Sequence, residues 1–413
     1  MISPLHRIVR LLVLLSPFAY PAFLLRFKVA GIPFTALEVF IYLVFGLWLI
    51  EGVRDHRNVV WDKPVRRIWY AAFALVAGAA IGVVFSPMIL VLQDGTLLNA
   101  RQVSLGVWKG WVVAPVLYCA VLTQVLRTPE EVRGILRSFL YSAAIVGLVS
   151  HLLALFGDGL TIDFRLRGFY ASANELALVV VPAILVAVAF LFQRHRPPNR
   201  WDTLDLSALA IVSYTLFFTQ SYAGILAVFG SLAVFVLLQF FRNPAQRRAI
   251  LSAFVIMLLA FAAVLATQIN TPKFKQFLDF ENRSSTSVRL QIYQVAWDLV
   301  KKHPLDGVGP GLFQASYRED AARVLGQPPM EWDMPHPHNI FLAFWLNAGL
   351  LGLAAFVALL VFAHRRFTYP LLALWAIVIH GFFDTPFWKN DLAMIFWLVT
   401  VAIMVLQKEQ KSK

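Results

Sequence analysis

Twelve apolar runs constrain this chain more than any other feature. They cover residues 8–25, 33–50, 68–85, 107–126, 135–155, 175–192, 206–218, 223–240, 250–268, 340–362, 369–383 and 392–406. Most are long enough to cross the hydrocarbon core of a bilayer as helices, which satisfy their own backbone hydrogen bonds where no water is present. With 59% hydrophobic residues, the polar surface is too small to cover a soluble core of this size. The expected fold class is therefore all-α: a polytopic integral membrane protein of about 12 transmembrane helices, forming one membrane-embedded domain.

The formal net charge is +13. The basic residues do not form a stripe. They gather in alternate connections: Arg7 and Arg10; Arg54, Arg57, Lys63, Arg66 and Arg67; Arg127, Arg133 and Arg137; Arg194, Arg196 and Arg200; Arg242, Arg247 and Arg248; Arg365 and Arg366; and Lys408, Lys411 and Lys413. This distribution excludes nucleic acid as the partner. By the positive-inside rule these connections and both termini are cytoplasmic. That pattern requires an even number of spans, which supports a helix at the short run 206–218. His6, His56, His195 and His364 flank the basic clusters and read as solvated, whereas His151 and His380 lie inside spans. The first run follows Arg7 and Arg10 like a signal peptide, but it lacks a small-x-small cleavage site and is read as a retained helix. The single cysteine, Cys119, lies inside a span, so neither an internal disulfide nor a cysteine metal site is available.

Between spans nine and ten, residues 270–337 form a long loop on the extracytoplasmic, periplasmic side. Val288, Ile292, Val295, Ala296 and Leu299 recur at helical spacing, which predicts an amphipathic helix over 287–302 with caps at 284–286 and a stop at Pro304. Arg289, Tyr293 and Trp297 form a second stripe, four residues apart. A guanidinium grips phosphate oxygens in a fork and aromatic faces stack on sugars. The same stripe also fits an interfacial helix whose arginine faces lipid headgroups. Gly307-Val308-Gly309-Pro310-Gly311 reads as a tight turn, since no strand precedes it and the Walker lysine is missing. A second short helix is expected over 312–325, and then an extended proline-rich segment over 327–337.

His338-Asn339 stands where that segment ends and the tenth span begins. A helix N-terminus disfavours an imidazolium and attracts anions, which suits a general base beside a diphosphate. At 100° per residue Gly349 returns to within about 20° of His338, and Gly352 falls about 40° to the other side. A glycine-marked face packs closely in membranes, so His338 is expected to point into the protein. Elsewhere a lone histidine in such a place is usually a cap.

These stretches resemble the O-antigen ligase family and its lipid-linked-glycan polymerase relatives. Ser287-Val288-Arg289, Trp297 and His303 to Gly311 look like the start of the family's shared region. His338-Asn339, followed by Gly349-Leu350-Leu351-Gly352, is similar to its histidine motif. The resemblance implies transfer of a glycan from an undecaprenyl-diphosphate carrier to the lipid A–core acceptor, at the periplasmic face of the bacterial inner membrane, without cofactor or metal. It makes His338 the essential histidine and Arg289 a donor-phosphate contact. Arg165 and Arg167, before Gly168-Phe169 and Asn174, look like the family's arginines ahead of the sixth helix and are expected to bind the same diphosphate. Ser221-Tyr222-Ala223-Gly224 departs from the Ser-Arg-Gly-Ala pattern, leaving Tyr222, with Tyr293 and Asn339, as a substrate contact.

A lipid diphosphate is already a good leaving group, so the site's main task is to neutralise developing charge. A hydroxyl deprotonated by His338 and attacking in line would invert the anomeric centre, with no need for paired carboxylates. Glu331, Asp333, His336 and His338 are close enough in sequence to suggest a metal, yet no Asp-x-Asp is present. Rival readings are a polymerase or a protein O-oligosaccharyltransferase with the same donor, and a lipid or glycan transporter, for which Glu38 in the second span is a candidate charge.

Overall fold

A computed structural model describes residues 4–29, 32–54, 59, 61–91, 95–193, 199–271, 273–275 and 284–412. His56, Arg57, Arg194, His195, Arg196 and Lys413, used above to orient the chain, lie outside the described residues, as do 272 and 276–283 of the long loop. Among the described residues the protein is all-α apart from two short antiparallel ribbons, Arg26–Val29 with Ile32–Thr35 and Leu90–Val91 with Leu97–Leu98. Among the described residues ten helices are long and apolar enough to cross a membrane. The other two expected runs are also helical: Arg200–Thr219, which carries charges at its start, and the short Leu371–Gly381.

The first and fourth spans depart from simple α-helices. Pro17 and Pro21 lack backbone donors, and the first span passes from an α-helix, Pro4–Leu15, into a 3-10 helix, Ser16–Leu24. The fourth contains a π-helical turn, Trp108–Val113, between Ala100–Val107 and Ala114–Val125.

The chain forms two compact units. The first comprises Met1–Phe139, Arg289–Leu371 and Asp384–Lys413, and the second Leu140–Val288 and Leu372–Phe383. Each contains one helix with a long stretch that is apolar on nearly all sides and buried. In the first unit this is Asn390–Ser412, whose Leu392, Phe396 and Trp397 are within 3% of full burial. In the second it is Ala173–Phe192. By contrast, Arg247–Gln268 buries Gln268 alone and offers its apolar side chains outward, as a lipid-facing helix does.

In the first unit the helix Ile340–Ala363 is broken at Gly349, where φ is 64° and ψ −171°. The expectation that His338 and Gly349 share a helical face is thereby overturned, because His338 precedes the helix and the helix does not run straight through Gly349. The glycine turn is built into this break. Leu350 N–H, which would donate to Leu346 O in an unbroken helix, donates to Leu305 O at 3.1 Å, and Leu346 O accepts from Val308 N at 2.8 Å and Gly309 N at 3.1 Å. Gly311 N donates to Asn347 Oδ1 at 2.8 Å, and Trp345 Nε1 donates to Pro304 O at 2.7 Å. Buried carbonyls freed by the kink are thus satisfied by the turn. Gly78 and Gly82 of the helix Lys63–Phe85 let its backbone approach the same region, since a Cβ at Gly78 would lie 2.4 Å from Ala348 O and 3.0 Å from Gly352 N. Close packing at Gly352 is as expected.

This bond exchange predicts a large, local cost. A Cβ at Gly349 would lie 2.1 Å from Leu305 O, in a left-handed conformation. Gly326 also has a positive φ, but nothing lies within 4 Å of its Cβ position. Gly326→Ala is expected to lose about 1–2 kcal/mol for backbone conformation alone. Gly349→Ala is expected to lose clearly more and to lower the yield of monodisperse protein in detergent. Equal melting temperatures for the two variants would contradict the exchange.

Candidate active site

The amphipathic helix forms over Ser285–Lys302, with Ile292, Val295, Ala296 and Leu299 buried. Ser284 and Ser287 cap it reciprocally: Ser284 Oγ accepts from Ser287 N at 3.0 Å and Ser284 N donates to Ser287 Oγ at 2.8 Å. The second helix, Phe313–Leu325, ends at Gly326 in the left-handed conformation. Ion pairs of Lys302 with Asp320 and of Arg323 with Asp298 join the two helices. The polar stripe of the first helix is used in part within the protein. Trp297 packs edge-on against Trp345, and the Tyr293 hydroxyl donates to the His338 carbonyl at 3.0 Å.

That last bond holds His338 in an unusual backbone conformation, φ 47°, which a side chain other than glycine adopts at a cost and which clusters at functional sites. The helix cap is Asn339, whose Oδ1 accepts from Phe341 N and Leu342 N at 3.0 and 3.1 Å. His338 is therefore not the cap. Asn339 has its amide oxygen engaged in capping, so a substrate contact from it falls to the amide nitrogen.

His338 belongs to a cluster with His336 and Asp384. The two imidazole rings lie 4.4 Å apart, edge to face. Asp384 Oδ1 is 3.7 Å from His338 Nδ1 and 3.9 Å from His336 Nε2, and the Nδ1 atoms of both histidines are buried without a hydrogen-bond partner. Asp384 is buried and its Oδ1 accepts from Thr385 N at 2.8 Å. Burial pushes His336 down to about 3, helped by its neighbour His338 and by Arg289 and Lys389, against the opposing influence of Asp384. His336 is thus neutral at physiological pH. Arg289 is close enough to act electrostatically on both His336 and Tyr293. Burial raises Tyr293 above its ordinary value, against the pull of Arg289 and with a further push from Asp384.

Asp384 and Lys389 were not among the residues singled out from sequence. A signal existed in topological parity: the connection between spans eleven and twelve must return to the side of the long loop, bringing Asp384 and Lys389 with it. The three residues His336, His338 and Asp384 offer ligand atoms within 4.8 Å of one another. Two imidazoles and a carboxylate match the donor preferences of first-row metals, although the separations to Asp384 exceed the roughly 3.3 Å between ligands of a tetrahedral zinc. Glu331 and Asp333 do not join this set; Asp333 instead pairs with Arg318 and accepts from Gln314 Nε2.

Residues 206–357 match the family model described as O-antigen ligase. Over this stretch, less than half of its length, the chain is similar to the O-antigen ligase family. The matched stretch contains Tyr222, Arg289, Tyr293, His338 and Asn339, and leaves out Arg165, Arg167 and Asp384. The chain is similar to the exopolysaccharide production protein ExoQ of Rhizobium meliloti, 25% identical over 79% of this chain and 71% of that protein. It is also similar to a Rickettsia bellii protein named as a polysaccharide ligase, 26% identical over 54% of each chain.

Arg165, Arg167 and Tyr222 lie in the second unit. Arg165 is buried, donating from Nε to Thr219 O and from Nη2 to Asn174 Oδ1, both at 2.9 Å, with Asp163 at 3.9 Å from Nη1. Arg167 holds three carbonyls, those of Leu160, Tyr170 and Asp158, at 3.0–3.1 Å. Both arginines therefore shape the loop before the sixth span. Tyr222 follows the cap Ser221 at the start of its helix, with its hydroxyl 3.4 Å from Thr271 Oγ1 and its ring edge-on to Phe274. Glu38, the candidate charge of a transporter, is locked in the first unit by Lys109 at the π-turn, by Asn390 at 3.1 Å and by Thr35 at 3.2 Å.

Proposed function

We propose that this protein transfers a glycan from a polyprenyl diphosphate donor to a sugar hydroxyl at the extracytoplasmic face of the bacterial inner membrane. The observation that carries the reading is His338, held in a left-handed conformation with Nδ1 toward buried Asp384 and with Arg289 beside the cluster. With the Asp384 carboxylate 3.7 Å from Nδ1 to stabilise the imidazolium that forms, Nε2 of His338 takes the proton of the acceptor hydroxyl. The acceptor oxygen bonds to the anomeric carbon, the bond from that carbon to the phosphate oxygen breaks, and the lipid diphosphate leaves with the electron pair. Arg289 and Lys389 neutralise the charge that develops on it. Arg165 and Arg167 are further candidate donor contacts, available where a phosphate outcompetes their carbonyl partners, since a charge-assisted hydrogen bond is roughly twice as strong as a neutral one. Tyr293, Asn339 and Tyr222 contact the sugars. The products are an inverted linkage and free lipid diphosphate, formed without a metal.

Lipid A–core is the proposed acceptor. The likeness to ExoQ over most of the chain favours a second reading, in which the acceptor is the end of a growing polysaccharide. A purified assay separates the two: the protein in detergent receives lipid-linked glycan and either lipid A–core or a second lipid-linked glycan. Transfer to one acceptor, undiminished by EDTA and without any ion gradient, is the expected result. Loss of transfer with EDTA, restored by a divalent ion, would turn His336, His338 and Asp384 into a metal site. No transfer to either acceptor would refute the proposal.

A further inference from the structure

We propose that the first unit carries a binding site for an anionic phospholipid at the end opposite the His338 cluster, distinct from the donor site. The helix Ile340–Ala363 begins beside His338 and ends at a cavity of about 550 Å³, bounded also by the start of Lys63–Phe85 and the end of Asn390–Ser412. This volume falls within the range of small-molecule sites. Five basic side chains line it, Lys63, Arg67, Arg365, Arg366 and Lys408, against one acidic side chain, Asp62.

The charges are arranged, not scattered. Asp62 is already engaged, since its carboxylate caps the helix through Val65 N at 3.1 Å and pairs with Lys408. Among the described residues Arg67, Arg365 and Arg366 have no carboxylate partner. Arg67 and Arg365 both lie against the Phe362 ring, 5.7 and 5.4 Å from its centroid, so one aromatic ring gathers two guanidinium groups at this rim. Gln407 Nε2 ties the two helix ends together by donating to Ala363 O at 2.6 Å and Arg366 O at 2.8 Å. Two guanidinium groups on the rim of one cavity, neither with a carboxylate partner among the described residues, call for an anion.

The walls say which kind of anion. Ile68, Leu359, Phe362 and Met404 line the cavity below the basic rim. A free phosphate would leave that apolar wall without a partner, whereas a phospholipid places its phosphate among the arginines and its acyl chains along the wall. By the Lys/Arg bias this end is the cytoplasmic one, where basic pockets between transmembrane helices bind anionic headgroups. The site is independent of the transfer reaction, so its test does not depend on that reaction.

The probe is dioleoylphosphatidylglycerol added to the purified full-length protein in detergent, with dioleoylphosphatidylcholine and inorganic phosphate as comparisons. Native mass spectrometry reads bound lipid and a thermal melt reads stabilisation. Phosphatidylglycerol is expected to bind the wild type and raise its melting temperature in a dose-dependent way, and phosphatidylcholine to do neither. The double variant Arg67→Gln/Arg365→Gln should bind phosphatidylglycerol roughly tenfold or more weakly, because each basic residue near a headgroup contributes substantially to attraction. The wild-type titration stands on its own if that variant folds poorly. Equal binding of the two lipids, undiminished binding by a well-folded variant, or stabilisation by phosphate matching that by the lipid would each overturn the proposal.

Discussion

His338→Ala is expected to slow glycan transfer by about two to four orders of magnitude, the range that a positioned general base contributes. Membrane insertion and binding of the lipid donor should persist, because the Asn339 cap and the glycine turn that hold the segment do not use the imidazole. The loss should appear in the rate at saturating donor and not in donor affinity. Asp384→Asn should follow with a smaller loss, since the amide can still face Nδ1 but does not stabilise the imidazolium that forms. His336→Ala should be milder than His338→Ala: its neutral ring packs against His338 and positions it. Single-turnover transfer by the three purified variants, with donor binding measured beside it, checks the order. Turnover retained in His338→Ala would remove the base role, and a defect confined to donor binding would reassign the histidine to phosphate.

Arg289→Ala should cost about two to three orders of magnitude in transfer, comparable with removing a preorganised charge-stabilising donor elsewhere. The argument rests on its place beside His336 and Tyr293. Arg289→Lys is expected to recover part of the activity, because a point charge lacks the planar fork that matches phosphate oxygens. Unlike His338→Ala, both variants should also weaken donor binding, since the donor already carries its negative charge in the ground state. Comparison of donor affinity and transfer rate for Ala and Lys at this position gives the readout. Full activity in Arg289→Ala would mean that the amphipathic helix is merely interfacial. Arg167→Ala offers a contrast: its three carbonyl bonds hold a loop, so its first effect should be on stability.

What could be read from sequence is what depends on local period and local chemistry. The apolar runs became helices because a span must satisfy its own backbone. The amphipathic helix, the tight turn at 307–311 and the short helix that follows it also formed where spacing, glycines and stops indicated. The position of His338 at a helix mouth was legible for the same reason. Its direction was not. The helical wheel assumed a straight helix, but Gly349 breaks it, and that break is stable because Leu305, Val308 and Gly309, distant in the chain, exchange hydrogen bonds with Leu346 and Leu350. The partnership of His338 with Asp384 likewise depends on two spans returning the chain to one side, a consequence of tertiary packing that no local pattern encodes. Arg165 and Arg167 show the reverse. The family resemblance suggested phosphate for them, while Arg165 also reaches the distant Thr219 carbonyl and Arg167 the carbonyls of its own loop. Sequence by itself thus determined which segments are helical and which side chains could do chemistry. Tertiary structure decided which of those side chains meet, because buried polar groups take whatever partners the packed backbone brings within reach.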